Sequence, residues 1–114
     1  MQTPPLTVID IAKLTAEIPG SYANLPLALV NDHLVRVSVM SEPFYWHLHP
    51  NSDETFLVVE GSLFIDLPTQ TIELLAGQLF TIPKNTKHRT RPKGKRSVNL
   101  TFEHQHLETV RVDE

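Results

Sequence analysis

The sequence predicts an all-β protein, a closed antiparallel sandwich or barrel with one short helix near its N-terminus. Three observations carry that prediction. Apolar and polar residues alternate with period two through most of the chain after Leu25, the signature of half-buried strands. Turn-forming residues interrupt those runs every several positions, as short strands in a closed antiparallel sheet require. Helical periodicity occurs in one place only, where Ile11, Leu14 and Ile18 follow Asp10.

Taken in order, TVIDI around Thr7 reads as an edge strand, and Asp10 then caps a helix that Pro19 and Gly20 stop. So short a helix is stable only with its apolar stripe laid on the outside of the barrel. LPLALV and LVRVSVM flank the turn residues Asn31 and Asp32, which gives a hairpin with Val35, Val37 and Val39 on one face. Further strands are expected near Phe44 to His49, Glu54 to Val59, Ser62 to Leu67, Thr71 to Leu75, Gln78 to Ile82, Lys87 to Arg91, Ser97 to Glu103 and His106 to Val112. Glu60 and Gly61 are read as the turn between two of them, glycine supplying the positive φ of a two-residue loop.

At 114 residues the chain is long enough for one core, so a single domain over residues 1–114 is expected. Its 40% hydrophobic and 20% charged content is that of an ordinary globule. The longest apolar runs, such as LALV and FLVV, are far short of the roughly 20 residues that cross a bilayer. MQTPPLTVID lacks the basic and apolar regions of a secretory signal, and a cytoplasmic location is expected. With no cysteine, the strong metal ligands on offer are imidazole and carboxylate. Charge is uneven: from Lys84 to Arg96 lie seven cations and no acid, leaving 3 basic and 13 acidic residues elsewhere. Net charge is −3 and no aromatic residues interleave the cations, so the run reads as a solvated strand face with an exposed PKGK turn, and no nucleic-acid partner is expected. GxSxG, P-loop and dinucleotide fingerprints are absent.

The chemistry concentrates in WHLHPNSDETFLVVEG, from Trp46 to Gly61. Histidines at i and i+2 aim the same way on a strand but diverge by roughly 200° on a helix. Pro50, Asn51, Ser52 and Asp53 turn the chain back and deliver Glu54 to the next strand, so His47, His49 and Glu54 converge from one hairpin. A second stretch, GQLFTIPKNTKHRTRP, carries His88. Together the two resemble the cupin family, whose first motif is G, five residues, HxH, three or four residues, E, six residues, G. His47, His49, Glu54 and Gly61 keep every spacing, with Ser41 where the family has its opening glycine. The second motif is G, five residues, P, x, G, two residues, H, three residues, N. Gly77, Pro83 and His88 match it, while Asn85 replaces the inner glycine and Pro92 the final asparagine. Asn tolerates the left-handed conformation, so the first change is benign, whereas Pro92 is a real departure.

The resemblance covers Ser41 to Pro92 and implies a cupin barrel, a double-stranded β-helix or jelly roll. His47, His49, Glu54 and His88 stand at the family's four metal positions. Three imidazoles and a carboxylate suit one divalent transition ion, with Fe, Mn, Ni, Zn and Cu all acceptable. The other reading is a cluster that is hydrogen-bonded without metal. Strand parity turns Tyr45 inward with the histidines, Phe56 and Val58 with Glu54, and Thr90 with His88. Tyr45 is therefore the candidate proton donor, and Tyr45, Phe56 and Thr90 the candidate substrate contacts, although barrel core is the alternative for Tyr45 and Phe56. His33 reads as a surface residue, and the second HxH, His104 and His106, lacks a spaced partner. The leading function is a metal-dependent enzyme acting on a small polar or carbonyl-containing metabolite, dioxygenase-like or isomerase-like. The alternative is a module that binds or senses a small ligand without turnover. The same parity sends Phe44, Trp46 and Leu48 outward as an apolar ridge, from which a two-fold homodimer centred on Trp46 is expected.

Overall fold

The computed structural model describes residues 3–19 and 21–113. Its elements are α1 (Ile11–Thr15), β1 (Tyr22–Val30), β2 (His33–Met40), β3 (His47–Leu48), β4 (Glu54–Asp66), β5 (Thr71–Leu75), β6 (Leu79–Ile82), β7 (Arg89–His104) and β8 (Val110–Arg111). All strand pairs are antiparallel. The larger sheet runs β1-β2-β7-β4-β5 with β6 also on β4, and β3 pairs with β8. This is the all-β architecture expected, with its short helix.

The β1–β2 hairpin turns at Asn31, which takes φ +55°, a conformation asparagine tolerates. Cross-strand partners share a face, so this hairpin and β7 split into two surfaces. Val37, Val39 and Val98 join Leu27 in one apolar cluster, and Ile9, Ile11 and Ile18 cover it. The opposite face looks into the barrel, where Met40 packs with Phe56, Val58, Leu63, Ile65, Leu74 and Ile82. The helix thus lies outside the barrel as expected, capped by Asp10, whose carboxylate accepts from the Lys13 N–H at 3.0 Å. Its contact stripe differs from the expected one: Leu14 is exposed and Thr15 is buried, its hydroxyl donating back to the Ile11 carbonyl at 2.8 Å. Gly20, expected to help stop the helix, lies outside the described residues.

Several expected boundaries are corrected. Residues around Thr7 form no strand; Pro4 and Pro5 precede them, and proline removes the donors a ladder needs. The extended stretch from Phe44 to His49 holds a ladder only at His47–Leu48, and the C-terminal strand shrinks to Val110–Arg111. Glu60 and Gly61 make no turn. They bend one continuous strand, β4, through register shifts between Val58 and Ser62. Gly61 has φ +75°, and a Cβ there would come within 2.5 Å of the Arg96 carbonyl oxygen, so glycine is required by close backbone approach.

The strands expected at Lys87 to Arg91 and Ser97 to Glu103 likewise merge into β7, and PKGK, exposed as expected from Lys93 to Lys95, lies inside that strand rather than forming a turn between two. The basic run is largely engaged within the chain. Arg89 and Arg91 both donate to Asp66 at 2.8 Å, Lys93 to Glu73 at 2.9 Å, and Arg96 to the Glu60 carboxylate and the Thr15 carbonyl. The outward ridge is corrected too. Phe44 packs against the inner cluster, and Trp46 is half-buried beneath Lys87 and Arg89, whose charged groups lie 5.3 and 5.4 Å from its ring centroid.

Candidate metal centre

His47 stands on β3 and Glu54 opens β4; His49 follows β3, and His88 precedes β7. The connection 50–53 holds them in place through its own side chains. Asn51 Nδ2 donates to the His106 carbonyl and Asn51 Oδ1 accepts from the Glu108 N–H, which fixes the segment lying over His49. Asp53 accepts from the Lys84 N–H at 2.8 Å, tying the loop before His88 to the same connection. Asn85 adopts φ +65°, the conformation expected of a residue replacing glycine there, and its N–H donates to the His49 carbonyl at 2.8 Å. His47 and His88 exchange both backbone hydrogen bonds at 2.9 Å, so the two motifs meet face to face.

The four side chains converge. Their nearest ligand atoms all lie within 4.8 Å of one another, and all four residues are buried. Each imidazole is oriented by a backbone carbonyl that its Nδ1 faces: Tyr45 for His47 at 2.8 Å, Glu108 for His49 at 2.9 Å and Thr86 for His88 at 2.8 Å. A carbonyl only accepts, so these contacts assign Nδ1–H to each ring and leave each Nε2 with its lone pair, the state a metal requires. Nε2 of His49 and of His88 lie 3.2 and 3.4 Å from Glu54 Oε1, and these three buried atoms have no hydrogen-bond partner. Buried polar atoms are normally satisfied, and one divalent cation would satisfy these together. The donor set therefore fits a first-row divalent ion.

Electrostatics follow from the same packing. Burial, with His88 beside it, pushes the His47 imidazole down to about 4, so it stays neutral near pH 7. For His49 burial acts downward, but the Glu54 carboxylate outweighs it and the pKa rises. Glu54 is buried, which alone would raise its pKa; contacts from His49, His88 and Glu103 hold it far below the usual carboxylate range. Glu103 is pushed up to about 8 by burial and by Glu54, its direct cross-strand partner.

A cavity of about 210 Å³ opens onto the cluster. Of the residues expected there, Phe56 and Thr90 line it, both buried. Tyr45 also lines it but stands at the mouth, 37% exposed, between Phe44 and Arg111. The outward parity expected for Phe44 fails because the segment has left regular strand geometry, and Phe44 lines the cavity beside Tyr45. Among the residues that sequence reasoning missed are Tyr22, Asn24, Arg36, Ser38, Thr101 and Glu103. The signal was present: S-V-N-L-T-F-E alternates polar with apolar from Ser97 to Glu103, and the polar set faces inward while Val98 and Leu100 pack with the N-terminal segment on the other face. His33 and His104 lie apart, beside Asp32, at 2.9 and 3.7 Å.

Fold and cluster together define a small antiparallel barrel with three histidines and a glutamate gathered at one cavity. The chain belongs to the cupin family, whose Cupin domain model matches residues 34–102. It is 42% identical over 106 residues to Uncharacterized protein YdbB of Bacillus subtilis (strain 168), covering 92% of this chain and 93% of that one. Polyketide synthase CurC of Streptomyces cyaneus is 41% identical over 56 residues, 49% of this chain and 36% of that protein. Among solved structures, a cupin-2 domain containing protein from Shewanella frigidimarina superposes with a TM-score of 0.80 at 28% identity, covering 86% of this chain and 95% of the other. No helix among the described residues is long and apolar enough to cross a membrane.

Proposed function

We propose that the chain is a metal-dependent enzyme acting on a small polar or carbonyl-containing metabolite, with one divalent transition ion held by His47, His49 and His88 through Nε2 and by the Glu54 carboxylate. The observation that carries the proposal is the common orientation of the three rings, each Nδ1 to a carbonyl, with the four ligand atoms within 4.8 Å of one another and Nε2 of His49 and His88 facing Glu54. Such an ion supplies Lewis acidity or dioxygen activation. The chain's own residues bind and orient the metabolite. Phe56 and Thr90 form part of the inner wall, and Tyr45 at the mouth offers a hydroxyl as hydrogen-bond partner or proton donor. Glu103 is a buried carboxyl lining the same cavity, and it provides a second group beyond Tyr45 that can hold or pass a proton. That favours an enzyme over a binding module. The name of the Streptomyces relative, a polyketide synthase, agrees with a carbonyl-rich substrate. A two-fold dimer belongs to the same proposal, with edge strand β1 as its seat: β1 ladders with β2 alone and exposes Leu25, Leu29 and Val30.

The test incubates metal-replete protein with a panel of small oxo and hydroxy acids, following substrate by NMR in deuterated buffer and dioxygen with an electrode. Chemical change, proton exchange or dioxygen uptake that is lost in the His47→Ala, His49→Ala variant is expected. Saturable binding with no chemical change across the panel would contradict the enzyme reading and leave a ligand-binding module.

A further inference from the structure

A chain of side-chain contacts crosses the inner face of the sheet, strand by strand, from the histidine cluster to the mouth. Glu103 on β7 is the cross-strand partner of Glu54 on β4. Its Oε2 accepts from Arg36 Nε on β2 at 2.9 Å. Arg36 Nη1 in turn reaches Asn24 Oδ1 on β1 at 3.4 Å, and Asn24 Nδ2 donates to the Tyr22 hydroxyl at 3.0 Å. The direction of each link is determined by its donor. A guanidinium only donates, so Asn24 must present Oδ1 to it and Nδ2 to Tyr22. The Tyr22 oxygen therefore accepts from Asn24, and its own proton is free to point onward.

Arg36 is the only Lys or Arg side chain lining the cavity, and Nη2 has no protein partner among the described residues. Both free donors, Arg36 Nη2 and the Tyr22 O–H, belong to one wall. Beside them runs a stack of rings that begins with Tyr22 itself: Tyr22 to Phe44 with centroids 5.0 Å apart and Phe44 to Tyr45 at 4.2 Å, with interplanar angles of 29° and 26°. The cavity lining thus offers donors and a positive charge next to flat ring faces. The volume of about 210 Å³ is below the roughly 300–1,000 Å³ of sites for drug-sized ligands. A half-buried guanidinium set in place by the Glu103 carboxyl group and an amide is ready to take a carboxylate on its remaining edge.

We propose that the ligand of this cavity is a small planar carboxylic acid whose carboxylate is received by Arg36 and Tyr22 and whose body lies against Phe44 and Tyr45. Arg36 and Tyr22 are then the residues that determine specificity for an anionic ligand. The inference rests on the proposed function only in placing the ligand in the cavity beside the four-residue cluster.

Benzoate, benzamide and benzylamine serve as probes, sharing one ring and differing in charge. Their affinities are measured by calorimetry and ligand-observed NMR for wild type, Arg36→Gln and Tyr22→Phe, each with and without prior chelator treatment. Benzoate is expected to bind wild type at least about tenfold more tightly than benzamide or benzylamine, the scale of a charge-assisted bond. Arg36→Gln should erase that preference and Tyr22→Phe should reduce it several-fold. Tyr22 is at the surface, so its variant keeps the test decisive if Arg36→Gln, by leaving Glu103 unpaired, fails to fold. Equal affinities for the three probes in wild type, a preference for benzylamine, no binding of any probe, or a benzoate preference unchanged in the variants overturns the inference. If benzoate binding vanishes with the chelator but survives both substitutions, the metal holds the acid: the inference fails and the metal reading stands. If elemental analysis finds no metal while the preference still depends on Arg36, the metal reading fails and the inference stands.

Discussion

At the residue scale, the site is built by pairing a backbone acceptor with each imidazole. His47 and His88 use the same local device, a carbonyl two residues earlier, whereas His49 takes the Glu108 carbonyl from the far end of the chain. The histidines and Glu54 were legible in the sequence because HxH on extended backbone has one geometric meaning. The Glu108 contact was not, since it depends on a segment placed by Asn51. Nor was Glu103, whose role arises from being opposite Glu54 across two strands. Its protonation gives a prediction for metal-free protein. A folded pKa of about 8 against 4.5 means the native state binds more protons between those values, so stability falls as pH rises through that window. His47 has the opposite sign, adding stability as pH rises from about 4 to 6.5. Above pH 6.5 the Glu103 slope stands with that of His49, whose raised pKa acts in the same direction. Thermal melts of Glu103→Gln should therefore decline less steeply than wild type from pH 6.5 to 8; an identical slope would show that Glu103 ionises normally in the native state.

At the element scale, the fold depends on two long bent strands, β4 and β7, each of which the sequence presented as two. Their bends escaped detection because a bulge and a hairpin turn recruit the same residues. Glu60-Gly61 and Pro92-Lys93-Gly94-Lys95 carry turn composition, yet they sit at a register shift between β4 and β7, and each strand pairs with the other on both sides of it. By contrast, the Asn31–Asp32 hairpin and the strand Thr71–Leu75 were legible, having clean alternation on both sides of an ordinary turn. The bend in β4 depends on one atom. Gly61→Ala combines φ +75° with a Cβ 2.5 Å from the Arg96 carbonyl, so it should destabilise the protein by about 1–3 kcal/mol or more. Gly94→Ala provides the comparison. It shares a positive φ of +83°, but its Cβ would meet nothing within 4 Å, so urea unfolding should show the smaller loss there. Equal losses would mean that φ alone, and not the approach of β7, governs Gly61.

At the scale of the whole molecule, the polar interior departs from the usual apolar core, and it explains where the sequence misled. Apolar parity sent Phe44 outward, whereas the barrel turns Phe44 in, and the charged groups of Lys87 and Arg89 lie over Trp46. Association through β1 accordingly predicts that Leu25→Lys with Leu29→Lys shifts sedimentation toward monomer while Trp46→Glu leaves it unchanged; the reverse pattern restores the Trp46 interface. The central claim is that the interior exists to hold a metal ion. Ligands that bind the native state alone stabilise it, so metal removal should lower Tm, and the effect should vanish with the ligands. The most direct measurement is elemental analysis by mass spectrometry of protein loaded with each candidate ion and dialysed, for wild type and for His47→Ala, His49→Ala. We predict one transition-metal ion per chain in wild type and almost none in the double variant. Equal occupancy of the two proteins, or a wild type that retains none of the ions after loading, contradicts the account.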